Sequence, residues 1–388
     1  MREKKMRAKL EDFLQEVCEK TITNNQYPVL TSSKSGLFLQ SDYFNKQVAS
    51  KDNTGYKIIR RGQFTYRAMS DTGEFFPNML ECADVGIVSP AYPVFEIIKQ
   101  DQIVPEYLKY YFKSNRFQNS ISTFAQGSTR TSVKFGKLKK VSIELPEIKK
   151  QYQIIQTLDL LRTIINNRKK EVLELDELIR ARFVELFGEP GTNPMNWKET
   201  TIGEECFYIK DGPHKSLSDI GKENGGHPFI SVRNIVDGYI NFSNAKYISD
   251  EDYAAAIKKC HPEKGDMLYS KGGTTGIAKL IDVEEKFANW VHVAVLKFDK
   301  EKLNGVFFEN MLNSTYCYEQ SQRLTKGIAN RDLVLSAMAQ IKMYRPPLEL
   351  QNQFADFVAQ IDKSKATVQK ALDETQLLFD SLMQKYFG

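Results

Sequence analysis

Residues 151–187 read QYQIIQTLDLLRTIINNRKKEVLELDELIRARFVELF. Within them Ile154, Leu158, Leu161, Ile165, Val172, Leu175, Ile179 and Leu186 follow alternating steps of four and three, with Arg168 and Arg182 at the intervening levels. That spacing lays one apolar stripe along a helix and drives helices to supercoil. Two hundred positions later the same levels hold Phe354, Val358, Ile361, Val368, Leu372, Phe379, Leu382 and Tyr386, interrupted at Lys365 and Thr375. Polar residues on such a seam fix register and choice of partner. A helix of about 36 residues extends roughly 54 Å, too long to sit inside a compact core. The pattern therefore predicts two struts, the first leaving one globular unit for the next and the second returning antiparallel to it.

The same offset pairs Gly127 with Gly327, Pro146 with Pro346, Gln151 with Gln351, Gln153 with Gln353, and Phe187-Gly188 with Phe387-Gly388. Upstream, Asn24 and Pro28-Val29-Leu30 face Asn224 and Pro228-Phe229-Ile230. Solenoid repeats run at about 20–50 residues, so this period marks a duplicated domain plus a duplicated helix. The expected fold is α+β: two similar mixed α/β domains at 1–150 and 189–350, joined by antiparallel coiled-coil helices at 151–188 and 351–388, with pseudo-twofold symmetry. Pro190, Gly191 and Pro194 break the first helix and open the second domain. Strand-like runs are Tyr56–Arg67, Val85–Ile98, Val291–Phe298 and Gln340–Arg345. One helical stretch per domain ends at a glycine: Pro105–Gln126 before Gly127, and Asn304–Lys326 before Gly327. Pro105 suits a first helical turn and Asn304 a cap.

At 388 residues, 41% hydrophobic and 27% charged, the chain is long enough for two or three domains with cores of their own. Its net charge of +5 permits nucleic acid without demanding it. Five scattered cysteines and no CxxC spacing point to reduced, structural thiols. The charged opening MREKKMRAKLEDF lacks the apolar centre of a signal peptide, and no run of 18 apolar residues occurs, so a cytoplasmic protein without membrane contact is expected. No phosphate-binding GxxxxGK[ST] is present, since Gly272-Gly273-Thr274-Thr275-Gly276 lacks its lysine. A GxGxxG, an Asn/Asp-Pro-Pro-aromatic motif and a nuclease acidic cluster are missing too, and the four histidines have no metal-like spacing. These gaps argue against an enzyme acting alone and predict no metal or cofactor.

Three kinds of polar, glycine-bearing loop remain. The first is Asp211-Gly212-Pro213-His214-Lys215-Ser216, with Ser231-Val232-Arg233-Asn234 downstream. The second is Tyr269-Ser270-Lys271-Gly272-Gly273-Thr274-Thr275-Gly276, matched by Tyr66-Arg67-Ala68-Met69-Ser70 in the first half. The third follows each glycine stop, as Gly127-Ser128-Thr129-Arg130-Thr131-Ser132-Val133-Lys134 and as Gly327-Ile328-Ala329-Asn330-Arg331-Asp332. Glycine lets a backbone approach closely, hydroxyls and N–H groups hold phosphates, and Arg or Asn reads base edges. Any one such loop is better read as an ordinary turn; recurrence of two of them in both halves makes contact with DNA an equal reading.

By these residues the chain resembles the specificity subunits of type I restriction–modification systems. The resemblance rests on Trp197 to Glu204, Asp211 to His214, Pro228 to Ile235, Lys264 to Tyr269, and on the endings Leu145-Pro146 and Pro346-Pro347 before Gln151 and Gln351. It covers essentially the whole chain, and the order of the parts is more specific than any one motif. It implies two target-recognition domains, each reading half of a split double-stranded DNA sequence with a fixed spacer. Two methyltransferase subunits would dock on the helices, bringing S-adenosylmethionine and flipping out an adenine. ATP-driven restriction subunits would complete the complex, and the chain itself would be non-catalytic.

The residues expected at DNA are Lys34, Tyr66, Arg67, Ser70, Arg130 and Lys134 in the first half. In the second they are Lys215, Arg233, Asn234, Ser270, Lys271, Thr274, Asn330 and Arg331. The helix seam expected to serve assembly is Leu158, Leu161, Ile165, Val172, Leu175, Ile179, Val358, Ile361, Val368, Leu372, Phe379 and Leu382. Domain centres about one helical turn of DNA apart, roughly 34 Å, would make the helices a ruler whose shortening alters the spacer. At a 200-residue offset Trp197 has no counterpart, Lys9–Leu14 looks helical where the second half has Ile209–Gly212, and the His214 loop has no mirror. The rival reading is a non-catalytic coiled-coil scaffold whose globular ends bind protein.

Overall fold

The structure, a computed structural model, describes residues 6–43, 52–127, 130–328 and 330–388. It divides into two compact units, residues 1–169 with 370–388 and residues 170–369.

Each unit is built on a four-stranded antiparallel sheet of one topology. In the first, the spatial order is Leu14–Val17, Val94–Ile97, Phe64–Thr65, Asn78–Met79; in the second it is Cys206–Asp211, Val293–Phe298, Met267–Ser270, Ala278–Leu280. Side chains alternate across a strand. Ala294, Leu296 and Phe298 accordingly enter one core while Val293 and Val295 enter another on the opposite face. Phe95 and Ile97 against Val94 repeat this in the first unit.

A two-stranded ribbon flanks each sheet. Met6–Lys9 pairs with Ser142–Leu145, and Lys198–Thr201 with Lys342–Arg345. Met6 faces Leu145 and Lys198 faces Arg345, so at the first strand of each ribbon the halves are offset by 192 residues, while its partner strand keeps the offset of 200. This corrects the reading of Lys9–Leu14 as helical. The segment is the end of a strand, a 3-10 turn at Leu10–Asp12 that buries Leu10, and the start of the next strand, Leu14–Val17. The turn supplies the three-to-four spacing that imitates a helix. By this register the counterpart of Trp197 is Lys5, which lies outside the described residues.

The two expected helical stretches are each split. Pro105–Tyr111 and Asn115–Ser122 form the first pair, Gly305–Leu312 and Thr315–Leu324 the second. The breaks fall at Ser114 and Ser314, whose hydroxyls accept from Phe117 N (3.2 Å) and Cys317 N (3.4 Å) as N-caps. Asn304 caps its helix and Pro105 opens the other, as the sequence predicts. Tyr56–Arg67 and Val85–Ile98 likewise resolve into two strands each, Lys57–Arg60 with Phe64–Thr65 and Val85–Val88 with Val94–Ile97.

The long helices are Ile148–Phe187 and Leu348–Phe387, 40 residues each, starting three residues before the predicted starts at 151 and 351. Within the first unit Ile154, Ile155 and Leu158 share a core with Phe379, Leu382, Tyr386 and Phe387. Within the second, Ile179, Phe183 and Phe187 pack with Phe354, Val358 and Ile361. The beginning of one helix thus meets the end of the other in both units, which is antiparallel pairing. None of the twelve seam residues is exposed. Three of the four polar interruptions find hydrogen-bond partners across the seam: Arg168 donates to the Ala371 carbonyl and the Thr375 hydroxyl, and Lys365 Nζ lies 2.5 Å from Asp176 Oδ1, while Arg182 pairs with Glu185 on its own helix.

The repeated Gln and Phe positions acquire physical roles. Gln151, fully buried, accepts from Val104 N (2.9 Å) and donates to Gln102 O and Pro146 O (2.9 Å each). Gln351 does the same with Asn304 N (2.8 Å), Lys302 O (3.3 Å) and Pro346 O (2.8 Å). Each glutamine ties the first turn of a long helix to its globular unit. The Phe387 ring packs tilted against Tyr107 (5.0 Å) and the Phe187 ring edge-on against Phe307 (4.8 Å), each closing the end of a long helix onto a globular unit.

All five cysteines are free. Cys206, Cys260 and Cys317 are buried, and desolvation pushes their thiols up to about 12, 11 and 12; Cys18 and Cys82 are exposed. Among the described residues no helix is long and apolar enough to cross a membrane.

Candidate nucleic-acid interface

In the first unit the sequence-predicted cations gather on one loop, residues 71–77. The hairpin Met69–Ser70 with Thr131–Ser132 brings Arg67 and Arg130 to the same carboxylate. Asp71 Oδ1 lies 2.9 Å from Arg130 Nε, and Asp71 Oδ2 4.0 Å from Arg67 Nη2. All three side chains are more than half exposed, so water screens these pairs and the guanidinium groups stay available. Lys34 reaches the same loop at Glu74 (3.3 Å) and lies over the Phe76 ring. Ser70 Oγ contacts Thr72 Oγ1 at 3.3 Å. Lys134 is exposed just beyond the hairpin.

The hairpin has one necessary glycine. Gly127 sits at φ +120°, and a Cβ there would lie 2.1 Å from Arg130 O. Ser128 and Thr129, singled out in the sequence, lie outside the described residues. Tyr66 is no surface group: it is fully buried, its hydroxyl donates to Val133 O (2.9 Å), and burial drives its pKa far upward.

The second unit repeats the backbone with different chemistry. Lys326 and Asp332 exchange N–H···O bonds of 2.9 Å each, and Gly327 (φ +85°) leaves no room for a Cβ beside Asn330 O at 2.2 Å. Leu333 N donates to Lys271 O (2.7 Å) as Val133 N does to Ala68 O (2.9 Å). Here, however, Lys271 is buried, with Asp332 Oδ1 at 2.8 Å and Asp211 Oδ2 at 3.6 Å. Asp211 is shared with Lys259 at 2.9 Å.

Ser270 is buried and accepts from Ile277 N (2.8 Å). Asn234 is buried as well, with its amide donating to Asn241 O and Asn244 Oδ1 while its oxygen accepts from Ser231 N. In this conformation Tyr66, Asn234, Ser270 and Lys271 therefore hold the loops in shape and present nothing to a ligand. Arg331 is half-buried, donating to Gln322 and Thr275. Lys215, Arg233, Thr274 and Asn330 are exposed. Ala329 lies outside the described residues.

Sequence reasoning did not single out Asp71, although a carboxylate four residues after Arg67 is a readable charge pattern. Nor did it single out Ile328, an apolar residue in an otherwise polar loop, or Gln322, whose contact with Arg331 no local spacing reveals. Trp290 Nε1 and His292 Nδ1, behind the Gly212 loop, have no hydrogen-bond partner. Among the described residues no group of three His, Cys, Asp or Glu side chains could hold a metal.

Residues 10–175 and 194–375 each match the family model described as "Type I restriction modification DNA specificity domain". The chain is 24% identical over 306 residues to the type I restriction enzyme MjaIX specificity subunit of Methanocaldococcus jannaschii, spanning 74% of this chain and 69% of that one. It is 19% identical over 301 residues to the type I restriction enzyme EcoKI specificity subunit of Escherichia coli, spanning 72% and 64%. The S subunit of the type I restriction–modification system from M. genitalium shares the fold, with a TM-score of 0.56 at 16% identity over 100% of this chain and 97% of that one. A chain from a structure concerning complex assembly and conformational transition of the type I R-M system aligns with a TM-score of 0.57 at 17% identity over 99% and 97%. With two matched domains, each on one copy of a doubled fold, the chain belongs to the type I restriction–modification specificity subunit family.

Proposed function

We propose that the chain reads a split double-stranded DNA target, one half per unit, and has no catalytic centre of its own. Two methyltransferase subunits dock on the long helices and bring S-adenosylmethionine. ATP-consuming restriction subunits join that core, and the whole works in the cytoplasm. The observation that carries this reading is the doubled, glycine-led hairpin. Both copies are braced by the same backbone bonds, yet one offers Arg67 and Arg130 and the other Thr274 and Asn330. A shared frame with divergent exposed groups suits two readers of different base sequences. Lysines and arginines place such a protein on phosphates, and a few polar groups select bases.

The deciding experiment co-expresses the chain with its methyltransferase partner and maps N6-methyladenine over genome-sized DNA. The expected result is one split motif with a fixed unread gap. Partner binding without any methylated motif would leave assembly standing and remove DNA reading.

A further inference from the structure

We infer that Ile328 reads the methyl group of a thymine in the major groove; this rests on the DNA-reading proposal above. Ile328 has a relative exposure of 101%, more than any other large hydrophobic among the described residues. It stabilises no core, so its apolar surface is a standing cost in water. The ends of the hairpin are held by backbone bonds. The Lys326–Asp332 bonds close the hairpin on both sides, Gly327 folds it against Asn330 O, and Gly273 N holds it from below through Arg331 O at 3.0 Å. The Arg331 guanidinium is locked to Gln322 and Thr275. Ile328 thus stands out in solvent two residues from a doubly bonded hairpin closure.

Its surroundings select the partner. Lys326 and Asn330 are exposed on the same hairpin, and Thr274 is exposed on the loop whose Gly273 bonds Arg331 O, a cation for phosphate and an amide and hydroxyl for base edges. An apolar protein partner would find these polar neighbours unpaired against it, whereas DNA satisfies both kinds of group. In unmodified DNA the major-groove edge offers one aliphatic group, the thymine C5 methyl. At the corresponding place the first half has Ser128 in its sequence, so this apolar contact belongs to one half-site alone.

The test uses the assembled complex with its methyltransferase partner and a synthetic duplex carrying the mapped motif. Each thymine is replaced singly by uracil, which removes only the methyl group. At one position the wild-type complex should bind about fourfold more weakly, the worth of one methyl group taken from water. Ile328→Ala should bind the unmodified duplex more weakly by a similar factor and be indifferent to uracil at that same position. Its melting temperature should match wild type, because the side chain touches no core. Equal binding by Ile328→Ala and wild type overturns the inference, as does a loss that no single uracil reproduces. Failure of DNA reading itself would appear earlier, as a wild-type complex that binds no motif.

Discussion

The hairpin at Gly127 and the hairpin at Gly327 are the same object built with opposite electrostatics. Both turn on a glycine whose Cβ would strike a carbonyl three residues on, and both hang from one backbone bond to the neighbouring strand. In the first, cations lie outside, loosely shared by Asp71. In the second, a lysine has moved inside between two aspartates, and Lys326, Ile328 and Asn330 are what the hairpin leaves exposed. The difference teaches that backbone bracing and surface chemistry are separable here. The bracing sits in bonds both halves keep; the exposed chemistry sits in side chains that bear little of it.

That separation can be broken most severely at Lys271. Lys271→Met takes the cation from Asp332, which stays partly in water, and leaves Asp211 with Lys259 alone, a loss of about 2–3 kcal/mol. Urea unfolding should show the loss; a change below about 1 kcal/mol would mean the buried ions brace nothing. Next come Gln151→Leu and Gln351→Leu. Each deprives a buried N–H of its acceptor and two carbonyls of a donor, at about 2 kcal/mol. The two losses should agree closely, and a clear inequality would end the claim that the two pins are equivalent.

The double change Arg67→Glu with Arg130→Glu should cost under about 1 kcal/mol of stability, because exposed pairs contribute little. In the assembled complex it should nonetheless flatten the salt dependence of DNA binding, by about 0.9 in log–log slope for each phosphate no longer neutralised. An unchanged slope would remove both residues from the interface. The mildest test is alkylation of the native chain at about pH 8. Cys18 and Cys82 in the first unit should react quickly, whereas Cys206, Cys260 and Cys317 in the second, protonated and buried, should wait for unfolding. Rapid labelling of any of those three would show that the second unit opens.

The helices and the doubling were legible because a heptad stripe and a recurring Gly, Gln and Phe are local, periodic marks. Ser114 and Ser314 stand at the same offset and are good caps, so the split helices could have been read as well. The 192-residue offset at the first strands could not, since it shows only in which residue faces Leu145 and which faces Arg345. The burial of Tyr66, Asn234, Ser270 and Lys271 was hidden for a related reason. A lysine beside two glycines looks exposed until Asp211 and Asp332, each about 60 residues away, are seen to enclose it. Polar residues in turns carry no periodicity, so the sequence does not tell a brace from a contact.

The first unit's core contains Phe387, packed against Tyr107, together with Leu382 and Tyr386. The second unit draws only on the continuous stretch 170–369. During synthesis, then, the second unit can close while the first still waits. One side of its core stays uncovered until residues 370–388 have emerged, so a chain broken off early leaves the domain translated first with apolar surface exposed.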